Sequence, residues 1–256
     1  MRLRGKRTII TGAGQGIGAA IAQAYVSQGA SVCVAEIDVR QGELIAAQLR
    51  AAGGDAFFVK CDVSKKEDVG ITIAAARERF GRIDVLVNNA GVNVFRDPLK
   101  MTEEDWRRCL AIDLDGAMYA SCAVLPAMLE QNGGAIINIA STHSFSIIPG
   151  CFPYPVAKHA LLGLTRSLGI EYAARGIRVN AIAPGYVDTP IADAYFKTFP
   201  DPAIERRKAE NLHPPKRMAR PDEVAMTAVF LGSDEAPFIN ASVITIDGGR
   251  SVVYHD

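Results

Sequence analysis

Short apolar, β-branched runs recur along this chain, each followed by a longer stretch with helical spacing, and this alternation restricts the fold more than any other feature. The runs SVCVA (31–35), IDVLV (83–87), AIINIA (135–140), IRVNAIA (177–183) and SVITI (242–246) lack strict polar–apolar alternation, as strands covered on both faces do. Strands are expected near 7–11, 31–36, 56–60, 83–87, 134–139, 177–182 and 242–246. Helices are expected near 16–29, 39–52, 65–80, 102–130, 154–175 and 221–231. Parallel strands need crossover connections, and these are almost always right-handed. The expected architecture is therefore α/β: a doubly wound parallel sheet of about seven strands with helices on both faces. A sheet of that size can occupy 256 residues as one domain, 1–256.

The first strand closes at Thr11 and runs into TGAGQGIG (11–18). Glycines permit a tight turn and close approach of backbone to a pyrophosphate, and the following helix N-terminus supplies free N–H donors. Gly12, Gly16 and Gly18 are the candidate cradle, with uncharged Gln15 inside the turn and Ile17 anchoring the helix to the sheet. The spacing is G-x-x-x-G-x-G and reads as a Rossmann-type dinucleotide turn. The second strand ends at Glu36, eighteen residues beyond Gly18. A carboxylate there can accept from both ribose hydroxyls and repels a 2′-phosphate, which points to NAD over NADP. Asp38 competes for that role, and Arg40 is the nearby residue that could face a 2′-phosphate.

Tyr154 and Lys158 are spaced as Y-x-x-x-K, on one face of a helix. An ammonium beside a phenol is expected to lower the tyrosine pKa toward working pH, as a general base requires. Ser141, at the end of a preceding strand, can donate to a substrate oxygen. These three imply an alcohol or carbonyl site.

Over essentially its whole length the chain resembles the short-chain dehydrogenase/reductase family. The matching elements are TGAGQGIG (11–18), CDV (61–63), NNAG (88–91), IAS (139–141), YPVAK (154–158), RVNAIAPGYVDTP (178–190) and IDGG (246–249). The resemblance implies that Gly12, Gly16, Ile17 and Gly18 hold pyrophosphate, that Asp62 and Val63 flank adenine, and that Asn89, Ala90 and Gly91 line the cofactor cleft. It implies that Pro184, Val187 and Thr189 hold the nicotinamide amide, and that Lys158 binds nicotinamide ribose besides tuning Tyr154. One departure matters: where the family carries an asparagine whose carbonyl holds a relay water, AIDLDG places Asp113. An ionised carboxylate near Lys158 would raise the lysine pKa and alter the relay.

For the substrate, His143, Asn93, Arg96, Phe145, Phe152 and Tyr186 are candidates around a polar pocket, with Arg96 or Lys197 able to assist His143 in holding an acid. The stretch 188–221 carries six prolines with Tyr195, Phe196 and Phe199, so 188–220 is expected to be a substrate loop or lid. THSFSIIPGCFPYPVAK (142–158) is similar to bacterial dehydrogenases of sugars and deoxy sugar acids, the 2-keto-3-deoxy-L-fuconate 4-dehydrogenases among them. The alternatives are a 3-oxoacyl-[acyl-carrier-protein] reductase-like enzyme, which predicts NADPH and basic residues at the ribose, and a non-catalytic dinucleotide sensor, which predicts loss of Tyr154 or Lys158.

With 28 basic and 28 acidic residues the net charge is zero, so neither nucleic acid nor an anionic membrane is an expected partner. The N-terminal apolar stretch is three residues long, and no run approaches the roughly 18 a membrane span needs. Five scattered cysteines without C-x-x-C spacing and four dispersed histidines give neither a disulfide framework nor a metal site. A cytoplasmic protein acting on a small molecule in carbohydrate metabolism is expected. The resemblance adds a homotetramer, with the SVVYHD tail near one interface and the helices at 102–130 and 154–175 pairing across another.

Overall fold

The computed structural model describes residues 1–254. Strands β1 (Arg7–Thr11), β2 (Ser31–Glu36), β3 (Ala56–Lys60), β4 (Val85–Asn88), β5 (Gly134–Ile139), β6 (Ile177–Pro184) and β7 (Val243–Ile246) form one parallel sheet. Its order is β3-β2-β1-β4-β5-β6-β7, the expected doubly wound arrangement. The direction of winding reverses between β1 and β4, so the crevice at their C-terminal ends is where such a sheet receives a ligand. β4 begins two residues later than its apolar run, because the Asp84 carboxylate accepts the Arg7 N–H (2.8 Å) and pairs with Arg82.

On one face lie α1 (Gly16–Ser27), α2 (Val39–Ala51) and α9 (Pro221–Gly232). Ile21, Tyr25, Val224 and Val229 are buried there against Ile10, Val32 and Ile137. The Tyr25 hydroxyl donates to Ala228 O (2.8 Å), tying α1 to α9. The other face is covered by α3 (Lys66–Phe80), α4 (Glu103–Leu110), α5 (Gly116–Glu130) and α6 (Tyr154–Tyr172), with Val124, Leu125 and Met128 over Ile9, Leu86 and Ile136.

Two expectations are corrected. The stretch 102–130 is not one regular helix: α4 and α5 are joined by a π turn, Ala111–Asp115, in which Gly116 N–H donates to Ala111 O. Gly116 is required at that point, since a Cβ would lie 2.9 Å from the Val63 side chain and 3.0 Å from its carbonyl oxygen. Taken end to end, Glu103–Glu130 is long and apolar enough to cross a membrane, with an 18-residue window of mean hydropathy 1.3, which reading run by run did not detect; 44% of that window is buried within the fold.

The second correction concerns 188–220, which is not a loop throughout. It holds α7 (Pro190–Phe196) and α8 (Pro202–Leu212), and two of its five prolines, Pro190 and Pro202, stand in the first turn of a helix, as Pro221 does at the start of α9, where proline's missing N–H costs nothing. Arg206 of α8 donates to Asp188 (2.8 Å) and Asp193 (2.7 Å), fastening the two helices together.

Candidate active site

At the reversal of strand order, Gly12 and Gly16 hold φ values of 61° and 55°, in the left-handed region that glycine enters freely. A Cβ on Gly18 would lie 2.2 Å from Gly12 O, so the turn and α1 close on each other only without a side chain. Asn89 Nδ2 donates to the carbonyls of Thr11 (3.0 Å) and Gly12 (2.9 Å). Its amide thereby braces the turn. α1 begins with exposed Gln15 as N-cap, without a capping bond and with no acid in its first turn. Uncapped helix N–H groups beside a glycine cradle suit an anion.

Glu36 ends β2 and is 9% exposed. Its Oε2 accepts Gly14 N–H (2.9 Å), and its Oε1 accepts Ile37 (2.8 Å) and Asp38 (3.1 Å) N–H groups. Three accepting positions expected for ribose are thus occupied by backbone, while the negative charge remains at the end of β2. Asp38 is the N-cap of α2, accepting from Gln41 N (3.1 Å), and Arg40 is exposed. Asp62 accepts from Ser64 N (3.1 Å) and Oγ (2.6 Å); Val63 is buried. Pro184 ends β6, Val187 is bridged to Ala219, and Thr189 caps α7 within 3.3 Å of where a Gly16 Cβ would stand. The residues assigned to a dinucleotide therefore share one edge of the sheet.

Beside this edge, Tyr154 opens α6 and Lys158 follows one turn on. Lys158 Nζ lies 3.1 Å from Asp113 Oδ1, donates to Ile139 O (3.2 Å) and stands 5.4 Å from the Tyr154 ring centroid. Lys158 and Asp113 are 4% and 2% exposed. The π turn brings Asp113 inward, where Val92 N–H also donates to it (3.3 Å), and glycine is needed at 91 because a Cβ would meet Asp113 Oδ1 at 2.8 Å. Burial alone would lower the Lys158 pKa, but Asp113, Tyr154 and Cys109 together more than offset this and Lys158 is held above its ordinary value. Burial raises Asp113, against the pull of the ammonium.

Tyr154 departs from expectation. Burial raises its pKa; Lys158 and a hydrogen bond with Ser141 pull it down, and the Asp113 carboxylate works against them. The lysine does not bring the phenol below its usual value because burial outweighs its pull, and the Asp113 carboxylate 3.1 Å from the ammonium adds to the opposition. Ser141 Oγ accepts His143 N–H (3.1 Å), and Ser144 Oγ donates to Lys158 O (2.7 Å), fixing this turn on α6.

The cleft over Tyr154 has aromatic walls rather than the expected polar ones. Phe95 packs edge-on against Tyr154 (5.6 Å) and Tyr195 (5.3 Å), and His143 against Tyr154 (5.7 Å). Tyr186 stacks on Phe196 (6.1 Å) and His213 (6.0 Å). Burial, and then the charge of Arg250, push His143 down to about 4, so it is neutral and gives no charge assistance; its buried Nδ1 has no partner among the described residues. Arg96 is drawn away by Asp105 (3.0 Å). Asn93 and Phe145 are exposed, and Phe152 packs on Trp106 (6.0 Å). Sequence reasoning missed Phe95, His213 and Arg250; for Arg250 the only signal was a cation directly after IDGG.

A doubly wound sheet with a glycine cradle at its switch point and a Ser–Tyr–Lys set beside it defines a dinucleotide-dependent oxidoreductase. A family model described as "Enoyl-(Acyl carrier protein) reductase" matches residues 12–251. D-Threitol dehydrogenase of Mycolicibacterium smegmatis is 39% identical over 98% of this chain and 95% of its own. Cis-4-hydroxycyclohexanecarboxylate dehydrogenase of Sinomonas cyclohexanicum is 38% identical over 96% of each. The crystal structure of a short-chain type dehydrogenase/reductase from Mycobacterium marinum superposes with a TM-score of 0.91 at 32% identity, over 98% of this chain and 97% of that one. The chain belongs to the short-chain dehydrogenase/reductase family and is an oxidoreductase. Family and fold imply a nicotinamide dinucleotide, and the side-chain-free cradle under an uncapped helix N-terminus fits its pyrophosphate.

Proposed function

We propose that this protein is an NAD-dependent dehydrogenase that oxidises a secondary hydroxyl of a small carboxylated substrate, with a sugar acid such as 2-keto-3-deoxy-L-fuconate, oxidised at its 4-hydroxyl, as first candidate. The observation that carries the reading is the buried Lys158 ammonium behind Tyr154, with Ser141 beside the same phenol. Bound NAD supplies the hydride acceptor. Tyr154, as phenolate, takes the hydroxyl proton, and Ser141 donates to the same substrate oxygen and fixes its position. Of the three Lys158 N–H donors, two are held by Asp113 and Ile139, and the third is assigned to the nicotinamide ribose.

Glu36 supports NAD over NADP through its charge at the end of β2, although backbone N–H groups already engage it. The remaining cofactor contacts proposed are Gly12, Gln15, Gly16, Ile17 and Gly18 at the pyrophosphate, Asp62 and Val63 at adenine, Ala90 and Gly91 in the cleft, and Pro184, Val187 and Thr189 at the amide. His143, Tyr186 and the segment 188–220 are assigned to substrate, α7 and α8 closing over it as a lid. The aromatic walls favour the C–H face of a ring, so an alicyclic hydroxy acid is the second candidate. A 3-oxoacyl-[acyl-carrier-protein] reductase is disfavoured by the acidic Glu36, and a non-catalytic sensor by the presence of both Tyr154 and Lys158.

A cytoplasmic homotetramer completes the reading. Ile170, Phe238 and Val252 are strongly exposed and suit interfaces. Within α6, however, Ala157 and Leu161 belong to the protomer's own core, and the last two residues of the tail lie outside the described residues. The test is NADH formation from a panel of sugar acids, polyols, alicyclic hydroxy acids and 3-hydroxyacyl thioesters, each with NAD and with NADP. Turnover of the acids with NAD is expected; activity confined to long acyl or steroid alcohols would overturn the assignment.

A further inference from the structure

Arg250 opens a short 3-10 turn just beyond β7, and its guanidinium carbon lies 5.4 Å from the Tyr186 ring centroid. The turn is built around Asp247, whose Oδ1 accepts Gly249 N–H (2.9 Å) and whose Oδ2 accepts Ser251 N–H (2.7 Å); the Arg250 N–H donates to Asp247 O (3.2 Å). Both oxygens of the Asp247 carboxylate are thereby directed at backbone rather than at the guanidinium. Arg250 is half-buried. Among the described residues it has neither an ion-pair partner nor a side-chain hydrogen bond. Other arginines near the cleft are committed, Arg96 to Asp105 and Arg206 to Asp188 and Asp193.

The position of Arg250 is on the cleft. Tyr186 beneath it packs on Phe196, Phe196 on Tyr195, Tyr195 on Phe95, and Phe95 on Tyr154, a continuous aromatic wall from the cation to the reacting phenol. Its charge also acts on His143, whose buried Nδ1 has no partner among the described residues. A guanidinium stacked on an aromatic face keeps its N–H edge available, in a planar fork that matches a carboxylate.

We propose that Arg250 is the substrate-specificity residue of this site, binding the carboxylate of a hydroxy acid whose hydroxyl is presented to Tyr154 and Ser141. The inference rests on the functional reading above and names the group that reads its acid. A recognising cation with no charged partner discriminates against the neutral alcohol, because leaving it unpaired forfeits a charge-assisted hydrogen bond that the acid restores.

The test separates binding from turnover. Binding of cyclohexanecarboxylate and of 2-keto-3-deoxy-L-fuconate to the full-length protein is measured by calorimetry, for wild type, Arg250→Gln and Arg250→Lys. In parallel, kcat/KM with NAD is compared for 4-hydroxycyclohexanecarboxylate and cyclohexanol. Wild type is expected to bind at least one carboxylate, with affinity falling at least tenfold in Arg250→Gln and less in Arg250→Lys. The preference for the hydroxy acid over cyclohexanol is expected to fall at least tenfold, with cyclohexanol turnover changed less than threefold. Equal binding by wild type and Arg250→Gln, or binding of neither carboxylate by wild type, would overturn the proposal. Binding that depends on Arg250, with neither alcohol oxidised, would leave the carboxylate site standing and overturn the dehydrogenase reading instead.

Discussion

The buried Lys158–Asp113 pair decides how the tyrosine behaves. Asp113 holds Lys158 as ammonium and at the same time raises Tyr154, so the phenolate forms only as pH climbs, and kcat/KM should rise toward alkaline pH. Asp113→Asn removes the carboxylate that raises the phenol, and the limb of the pH–kcat/KM profile should move to lower pH. The same change leaves an ammonium buried without its counter-charge, so stability should fall by about 3 kcal/mol, read as a lower denaturant midpoint. An unmoved limb would separate Asp113 from the tyrosine. Tyr154→Phe keeps the ring packed on Phe95 and His143 but deletes the proton acceptor. Turnover should drop by roughly 10²–10⁴-fold with NAD affinity within threefold; near-normal kcat would reject the mechanism. Tyr154, Lys158 and Ser141 were legible from type and spacing. The direction of the Tyr154 shift was not, because it is set by how deeply three charges are buried together, which no spacing encodes.

At the level of elements, the apolar runs located all seven strands, since a doubly covered parallel strand has little choice but to be apolar. What they missed lies at joints. The π turn at Ala111–Asp115 comes from a tertiary demand, the approach of Gly116 to Val63, and leaves no periodic signal. The helices α7 and α8 were masked by prolines that read as breakers when counted and as helix starts when placed. Gly116→Ala should cost about 1–3 kcal/mol through overpacking. Because the same turn aims Asp113, it should also change the pH–rate profile; loss of stability alone, with the profile intact, would show that the turn and the ion pair are independent.

Across the whole molecule, the site draws on segments from residue 12 to residue 250, joined only by the sheet. The proposed lid, 188–220, is held to itself by Arg206 between Asp188 and Asp193. These groups are partly exposed, so Arg206→Ala should change stability by less than about 1 kcal/mol. KM should nevertheless rise severalfold while kcat changes little, as expected if the pair positions a closing segment. An unaltered KM would remove the lid from the proposal. Tyr186 and Tyr195 were named from the sequence, but their junction with Phe95 was illegible because Phe95 follows β4 and the other two follow β6, and Arg250 was missed because a single cation after β7 looks like any surface charge.

The contact between Glu36 and the glycine turn has a consequence for how this chain can change. A Cβ on Gly14 would stand 2.8 Å from Glu36 Cγ and Oε2, so positions 14 and 36 constrain one another. Replacing Glu36 by alanine should shift the NAD:NADP ratio of kcat/KM toward NADP and also release the Gly14 N–H that the carboxylate holds, weakening both cofactors. Only in that background does space open at position 14 for a side chain able to meet a 2′-phosphate. The route to a new cofactor is therefore ordered: a substitution at Gly14 is barred until Glu36 has gone, and the intermediate on that path is a poorer enzyme than either end.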